Sequence, residues 1–198
     1  VFISIDGIDG AGKTTQISML CDVLQSEGRQ VARFRDPGTT KLGEAVRDIL
    51  LHREEIPLDR TTEMLLYMAC RAQLVSEQIQ PALANGSTVV CDRYLLANVV
   101  YQGCSGDLSP QVIWDVGKVA TKEVFPDKTI VLDLDPEIAF QRIQRGHDRL
   151  EKRGLSYFHS VRQGFLEQSK ALGDRCRVVD ASQSVECIHR DIMGFIRS

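Results

Sequence analysis

The segment that most limits what this chain can become is Gly7-Ile8-Asp9-Gly10-Ala11-Gly12-Lys13-Thr14-Thr15. It follows a β-rich run, VFISID, and precedes residues 13–27, where Ile17, Leu20, Cys21 and Leu24 recur at helical spacing. The pattern is GxxxxGK(S/T) between a strand and a helix, the context that such a loop requires. Its glycines let the backbone turn tightly around an anion, and successive N–H groups with the helix N-terminus supply positive potential. The whole loop, Gly7 to Thr15, is therefore expected to bind a nucleoside triphosphate. Lys13 would reach the β- and γ-phosphates and the Thr14 hydroxyl would ligate Mg²⁺. A random chain of this length carries the pattern in only about one case in a hundred. No NKxD segment follows, so a guanine-reading GTPase is excluded.

Elsewhere strands and helices alternate. Strands are expected at 30–35, 87–92, 129–133 and 176–180. Helices are expected at about 41–51, 60–85, 94–102, 109–122, 136–145 and 155–172, with a last one carrying Val185, Ile188, Ile192 and Phe195. Buried-type strands with intervening helices imply one α/β domain over 1–198, its parallel sheet covered on both faces. Ligands of such sheets lie beyond the strand carboxyl ends, which directs attention to the residues after 5, 35, 91 and 133.

A net charge of −3 argues against a nucleic-acid coat or a polybasic membrane binder, and no apolar run approaches the ~20 residues of a membrane span. The six cysteines form no CxxC pair and no zinc-ligand spacing, so they are expected to be reduced thiols. No secretory leader is evident, and the expected location is cytoplasmic.

The strand ends carry arginines. Arg35 precedes Asp36-Pro37-Gly38, Arg93 follows Asp92, and Arg71 lies four residues after Tyr67 on the intervening helix. Each alone is compatible with a surface ion pair. Beside a phosphate loop they suit a nucleoside monophosphate acceptor, because guanidinium grips phosphate bidentately. Tyr67 and Arg71 share a helix face and suit a base, one stacking and the other reading an edge.

Several motifs in one order are similar to those of the bacterial thymidylate kinase family: FISIDGIDGAGKTTQ, RDPGTTKLGEAVRDILL, LLYMACRAQLVSEQIQPALANG, CDRYLLANVVYQG, LDLDPEIAFQRIQRGHDRLE and VVDASQSVE. The resemblance implies transfer of the ATP γ-phosphoryl to dTMP with Mg²⁺. It also implies a P-loop NTPase three-layer sandwich with sheet order 2-3-1-4-5, and a homodimer. Arg35 and Arg93 resemble the grips on the dTMP phosphate. Arg71 resembles a thymine-edge or phosphate contact, and Tyr67 occupies the position of the family's stacking Phe. Asn98, Tyr101 and Gln102 match positions lining sugar and base. Asp9 fits the carboxylate near the sugar 3′-OH, and Asp92 the acid near Mg²⁺. The Asp180–Ser184 loop resembles an adenine contact, and Ser184 also suits a helix N-cap. Two departures stand out. Asp36 replaces the usual Glu and is one methylene shorter. Thr39 replaces a glycine free to take positive φ.

Residues 142–153 carry five cations against two acids, within a basic lid expected at about 142–154. Some family members place a catalytic Arg inside the phosphate loop, where this chain has Gly10. The catalytic set is therefore expected to be Lys13 and Arg93 with lid arginines Arg145, Arg149 and Arg153. Two alternatives remain at this level. One is another P-loop nucleotide or deoxynucleoside kinase, although a nucleoside acceptor would not need Arg35 and Arg93 together. The other is a nucleotide-binding regulatory protein without turnover, which the intact Lys13, Thr14, Asp92 and Arg93 weigh against.

Overall fold

The computed structural model describes residues 1–105, 108–142 and 153–198. Five parallel strands form one sheet: β1 (Phe2–Gly7), β2 (Val31–Arg35), β3 (Thr88–Asp92), β4 (Lys128–Asp133) and β5 (Cys176–Asp180). Their order is β2-β3-β1-β4-β5, as the resemblance implied. The helices are α1 (Lys13–Ser26), α2 (Lys41–Leu51), α3 (Arg60–Leu74), α4 (Gln80–Ala84), α5 (Leu95–Asn98), α6 (Pro110–Thr121), α7 (Pro136–Arg142), α8 (Leu155–Ala171) and α9 (Val185–Arg197).

The central strand β1 is buried throughout, whereas the edge strands β2 and β5 are half exposed, each paired on one side only. Register aligns the strand ends: Ile5 and Arg35 both oppose Asp92, and Asp133 opposes Asp180. The first phosphate-loop turn therefore emerges beside the residues after β2 and β3. At the end of β4, Asp133 is held bidentately by Arg162 of α8, at 2.6 and 3.0 Å.

Local signals explain the helix limits. Gly28, at φ 80°, ends α1 while the Arg29 N–H returns to the Leu24 carbonyl. Asp59 and Thr40 cap α3 and α2 through side-chain oxygens. The expected 60–85 helix passes through a π turn at Val75–Ile79 before α4. Pro81 has no N–H to donate backwards, and the wider turn accommodates it. The expected 94–102 helix likewise becomes α5 followed by a π turn at Val99–Cys104. That turn carries Tyr101 and Gln102, and π turns are frequent at functional sites.

Candidate active site

The phosphate loop is tightly fitted to its surroundings. Gly10 has φ 84°, and a Cβ there would collide with the Ala139 carbonyl of α7. The loop thus has no room for a side chain at this position. Lys13 folds over the loop, donating from Nζ to the Gly7 and Ile8 carbonyls at 3.1 and 2.8 Å, with Asp9 at 3.6 Å. Burial, aided by Arg93, pushes its ammonium pKa below the ordinary value.

Two adjoining cavities meet at this loop. One, with a volume of about 380 Å³, is lined by Gly10, Gly12, Lys13, Thr14, Asp92, Arg93, Arg35 and Arg142 among others. This is strongly cationic ground, suited to polyphosphate. The second is lined by Tyr67, Arg71, Asn98, Tyr101, Gln102 and Leu51. Asp9, Asp36, Arg47 and Arg93 line both. A third recess joins Gly10–Gly12, Thr15 and Gln16 to Ala181, Gln183 and Val185, the loop compared above with an adenine contact. Ser184 also caps α9, accepting from the Cys187 N–H at 3.3 Å.

Arg93 stands at the junction of the first two cavities. Its backbone takes φ 65°, unusual outside glycine, which turns the side chain back toward β1. There Nη1 donates to the Gly7 carbonyl at 2.9 Å and Nη2 to Asp9 Oδ1 at 2.8 Å. The guanidinium lies 5.1 Å from the centroid of the Tyr101 ring.

Arg71 is 1 % exposed. Nε donates to Asp36 Oδ2 at 2.6 Å, Nη1 to Asn98 Oδ1 at 2.9 Å, and Nη2 approaches the Tyr94 carbonyl at 3.3 Å. The shorter acid at 36 therefore still makes a direct contact. Arg71 lies over the Tyr94 ring rather than that of Tyr67, leaving Tyr67 to line the cavity wall. Arg35 reaches the phosphate-side cavity with Nη2 paired to Glu44 at 2.8 Å. Thr39 takes φ 68°, the strained backbone expected from losing glycine, and its hydroxyl clips both the N–H and the carbonyl of Arg35.

The lid arginines divide. Arg145 and Arg149 lie outside the described residues. Arg153 is described, and it pairs with Glu63 at 2.7 Å and donates to the Tyr157 hydroxyl at 3.0 Å. It does not line the phosphate-side cavity.

Two cations escaped the sequence reading as candidates. Arg47 of α2 lines both cavities and donates to the Pro37 carbonyl at 3.0 Å. Its position four residues before Leu51, on one face of a helix that follows the β2 loop, was the available signal. Arg142, at the end of α7, lines the phosphate-side cavity and the third recess.

Among the described residues no group of three or more His, Cys, Asp or Glu could hold a metal. A hydroxyl and a carboxylate, Thr14 and Asp92, do line the phosphate-side cavity. Hard oxygen donors few in number suit Mg²⁺, which keeps waters and binds phosphate oxygens for its remaining positions.

Comparison with known proteins bears on the family and the fold. The family model described as Thymidylate kinase matches residues 5–192. A thymidylate kinase of Rhodopirellula baltica is 46 % identical over 184 residues, covering 93 % of this chain and 75 % of that protein. One from Bifidobacterium longum is 41 % identical over 200 residues, covering all of this chain and 97 % of its own. The crystal structure of thymidylate kinase from Ehrlichia chaffeensis superposes with a TM-score of 0.80 at 29 % identity, covering 99 % of this chain and 98 % of the other. With its loop, sheet order and full-length likeness in agreement, this chain belongs to the thymidylate kinase family.

Proposed function

We propose that the larger, cationic cavity receives the ATP phosphates, that the cavity beneath Tyr67 and Arg71 receives dTMP, and that the γ-phosphoryl crosses between them at Arg93. The observation that carries this reading is that Arg93, Asp9 and Arg47 line both cavities. A group shared by donor and acceptor pockets is where a transferring phosphoryl would sit.

In this reading Tyr67 stacks on the base and Tyr101 bounds the sugar. Arg93 and Arg47, which line both cavities, hold the acceptor phosphate against its repulsion from ATP, while Arg35 faces the phosphates from the donor side. Lys13 exchanges its carbonyl partners for phosphate oxygens and stabilises charge on the transferred group. The acceptor phosphate is already ionised, so no general base is required. Thr14 and Asp92 would hold Mg²⁺, which when bound neutralises charge on the phosphate oxygens. The role of lid cation rests with Arg145 and Arg149, since Arg153 is engaged at Glu63.

Homodimerisation fits the apolar side chains left exposed on neighbouring helices: Leu42 on α2, Leu65 on α3, and Val112 and Val119 on α6. Among the described residues no helix is long and apolar enough to cross a membrane. Free thiols at Cys21, Cys70, Cys91, Cys104, Cys176 and Cys187 suit a reducing cytoplasm.

ADP release with MgATP and a panel of dTMP, dUMP, UMP, dCMP, AMP, GMP and thymidine tests the assignment. Highest kcat/KM for dTMP supports it, and preference for any other acceptor refutes it. Sedimentation of wild type and Leu65→Glu tests the dimer, the variant being expected to run as a monomer.

A further inference from the structure

A single hydrogen-bonded chain runs behind the acceptor cavity. Arg71 Nη1 donates to Asn98 Oδ1 at 2.9 Å, Asn98 Nδ2 to Gln102 Oε1 at 2.8 Å, and Gln102 Nε2 to Glu63 Oε1 at 2.8 Å. Arg153 Nη2 then donates to the other carboxylate oxygen, Glu63 Oε2, at 2.7 Å. Glu63, Arg71, Asn98 and Gln102 are all buried, at 3, 1, 2 and 1 % exposure. Arg71, Asn98 and Gln102 line the cavity, and Glu63 does not.

The chemistry of the two ends fixes the direction of every link. A guanidinium only donates and a carboxylate only accepts. The two amides between them could otherwise turn over, exchanging oxygen for nitrogen at little steric cost. Gln102 must present its N–H to Glu63, so its oxygen faces Asn98. Asn98 must then give its N–H to Gln102 and its oxygen to Arg71. Reversing either amide would set donor against donor or oxygen against oxygen in a dry site.

We propose that Glu63 is a specificity-determining positioning residue, which orients the Gln102 and Asn98 amides and thereby sets the donor–acceptor pattern that the cavity shows to the acceptor base. This rests on the assignment of that cavity to dTMP. Thymine and cytosine have similar shapes but opposite polarity at their Watson–Crick edge. Thymine offers an N3 donor and an O4 acceptor, whereas cytosine offers an N3 acceptor and an N4 donor. A wall with fixed amides discriminates between them, and one with amides free to turn does not. Arg153 completes the arrangement by donating to the second oxygen of the buried carboxylate.

The test uses Glu63→Gln, nearly isosteric but able to donate as well as accept. Steady-state kinetics at saturating MgATP are compared for dTMP, dUMP and dCMP, with KM for ATP and Tm as controls. The dTMP:dCMP ratio of kcat/KM is expected to fall about tenfold, chiefly through KM. The dTMP:dUMP ratio is expected to hold, because uracil keeps the polarity of thymine and lacks only the methyl group. The exchange Glu63→Gln with Gln102→Glu restores an acceptor-only group one link along and is expected to recover part of the lost ratio. It also carries the test should Glu63→Gln fail to fold. An unchanged dTMP:dCMP ratio, parallel falls in both ratios, or an exchange no better than the single variant would overturn the proposal. A wild type that prefers a different acceptor would instead refute the assignment of the cavity.

Discussion

Asp36 and Arg71 form an ion pair inside the protein, with Nε to Oδ2 at 2.6 Å and side chains 0 and 2 % exposed. Burial raises the Asp36 pKa while Arg71 draws it down. Among the described residues, the second oxygen, Oδ1, has no hydrogen-bond partner. The pair joins the β2 loop to α3 and fixes one end of the guanidinium that lines the cavity beside Tyr67 and Asn98. Asp36→Asn leaves that guanidinium buried without its counter-charge, at a cost of about 3–5 kcal/mol. The expected result is a fall in Tm of about 10 °C in a chain of this size. Thermal unfolding checks it, and a shift within about 2 °C would mean that the pair does not hold the loop.

Arg93 is expected to matter more for the acceptor than for ATP. Arg93→Ala keeps the Cβ, so the backbone at φ 65° acquires no new strain. It removes the donors aimed at Gly7 and Asp9 from the junction of the cavities. A fall in kcat/KM for dTMP of about 10²- to 10³-fold is expected, with KM for ATP nearly unchanged. Arg47→Met, at the same junction, should cost about tenfold. Steady-state kinetics with each substrate varied decide both, and unaltered dTMP kinetics in either variant would remove that residue from the acceptor site.

Gly10 can be tested by one methyl group. Its positive φ and the Ala139 carbonyl facing it leave a Cβ no space. Gly10→Ala must move either the loop or α7, and in both cases the N–H groups lose their convergence on phosphate. ATP affinity is expected to drop by about a hundredfold. Calorimetric titration measures it, and wild-type affinity would show that the loop has slack.

How much of this could be read without coordinates depended on whether the signal was local. The loop from Gly7 to Thr15 carries its own geometry in its glycines, and α2 began and ended where its pattern indicated. Arg71, Asn98 and Gln102, which line the second cavity, could be named beforehand because they sit in short motifs that carry the family resemblance. Arg47 was missed because its position depends on how α2 packs over the β2 loop. The placing of Arg153 against Glu63 spans ninety residues of chain. Its neighbours in sequence are basic, which suggested a phosphate contact, yet its partner is a carboxylate at the opening turn of α3. Tertiary pairing of that kind leaves no periodicity to read.

Asp6 offers a test through pH. Its side chain is fully buried, and Oδ1 accepts weakly from the Tyr94 N–H at 3.4 Å. Burial pushes its pKa from 3.8 to about 6, against the pull of Arg93. The folded value lies above the unfolded one, so the folded state holds the proton more tightly. The resulting stability is fully present below about pH 4 and is lost as pH rises through about 6. The loss amounts to about 3 kcal/mol by pH 8. Asp6→Asn carries no charge at any of these pH values and escapes it, while every other titrating group is common to both proteins. The Tm of Asp6→Asn relative to wild type, measured without nucleotide, should therefore rise between pH 4 and pH 8. A difference that stays constant across that range would show that the carboxyl does not titrate there.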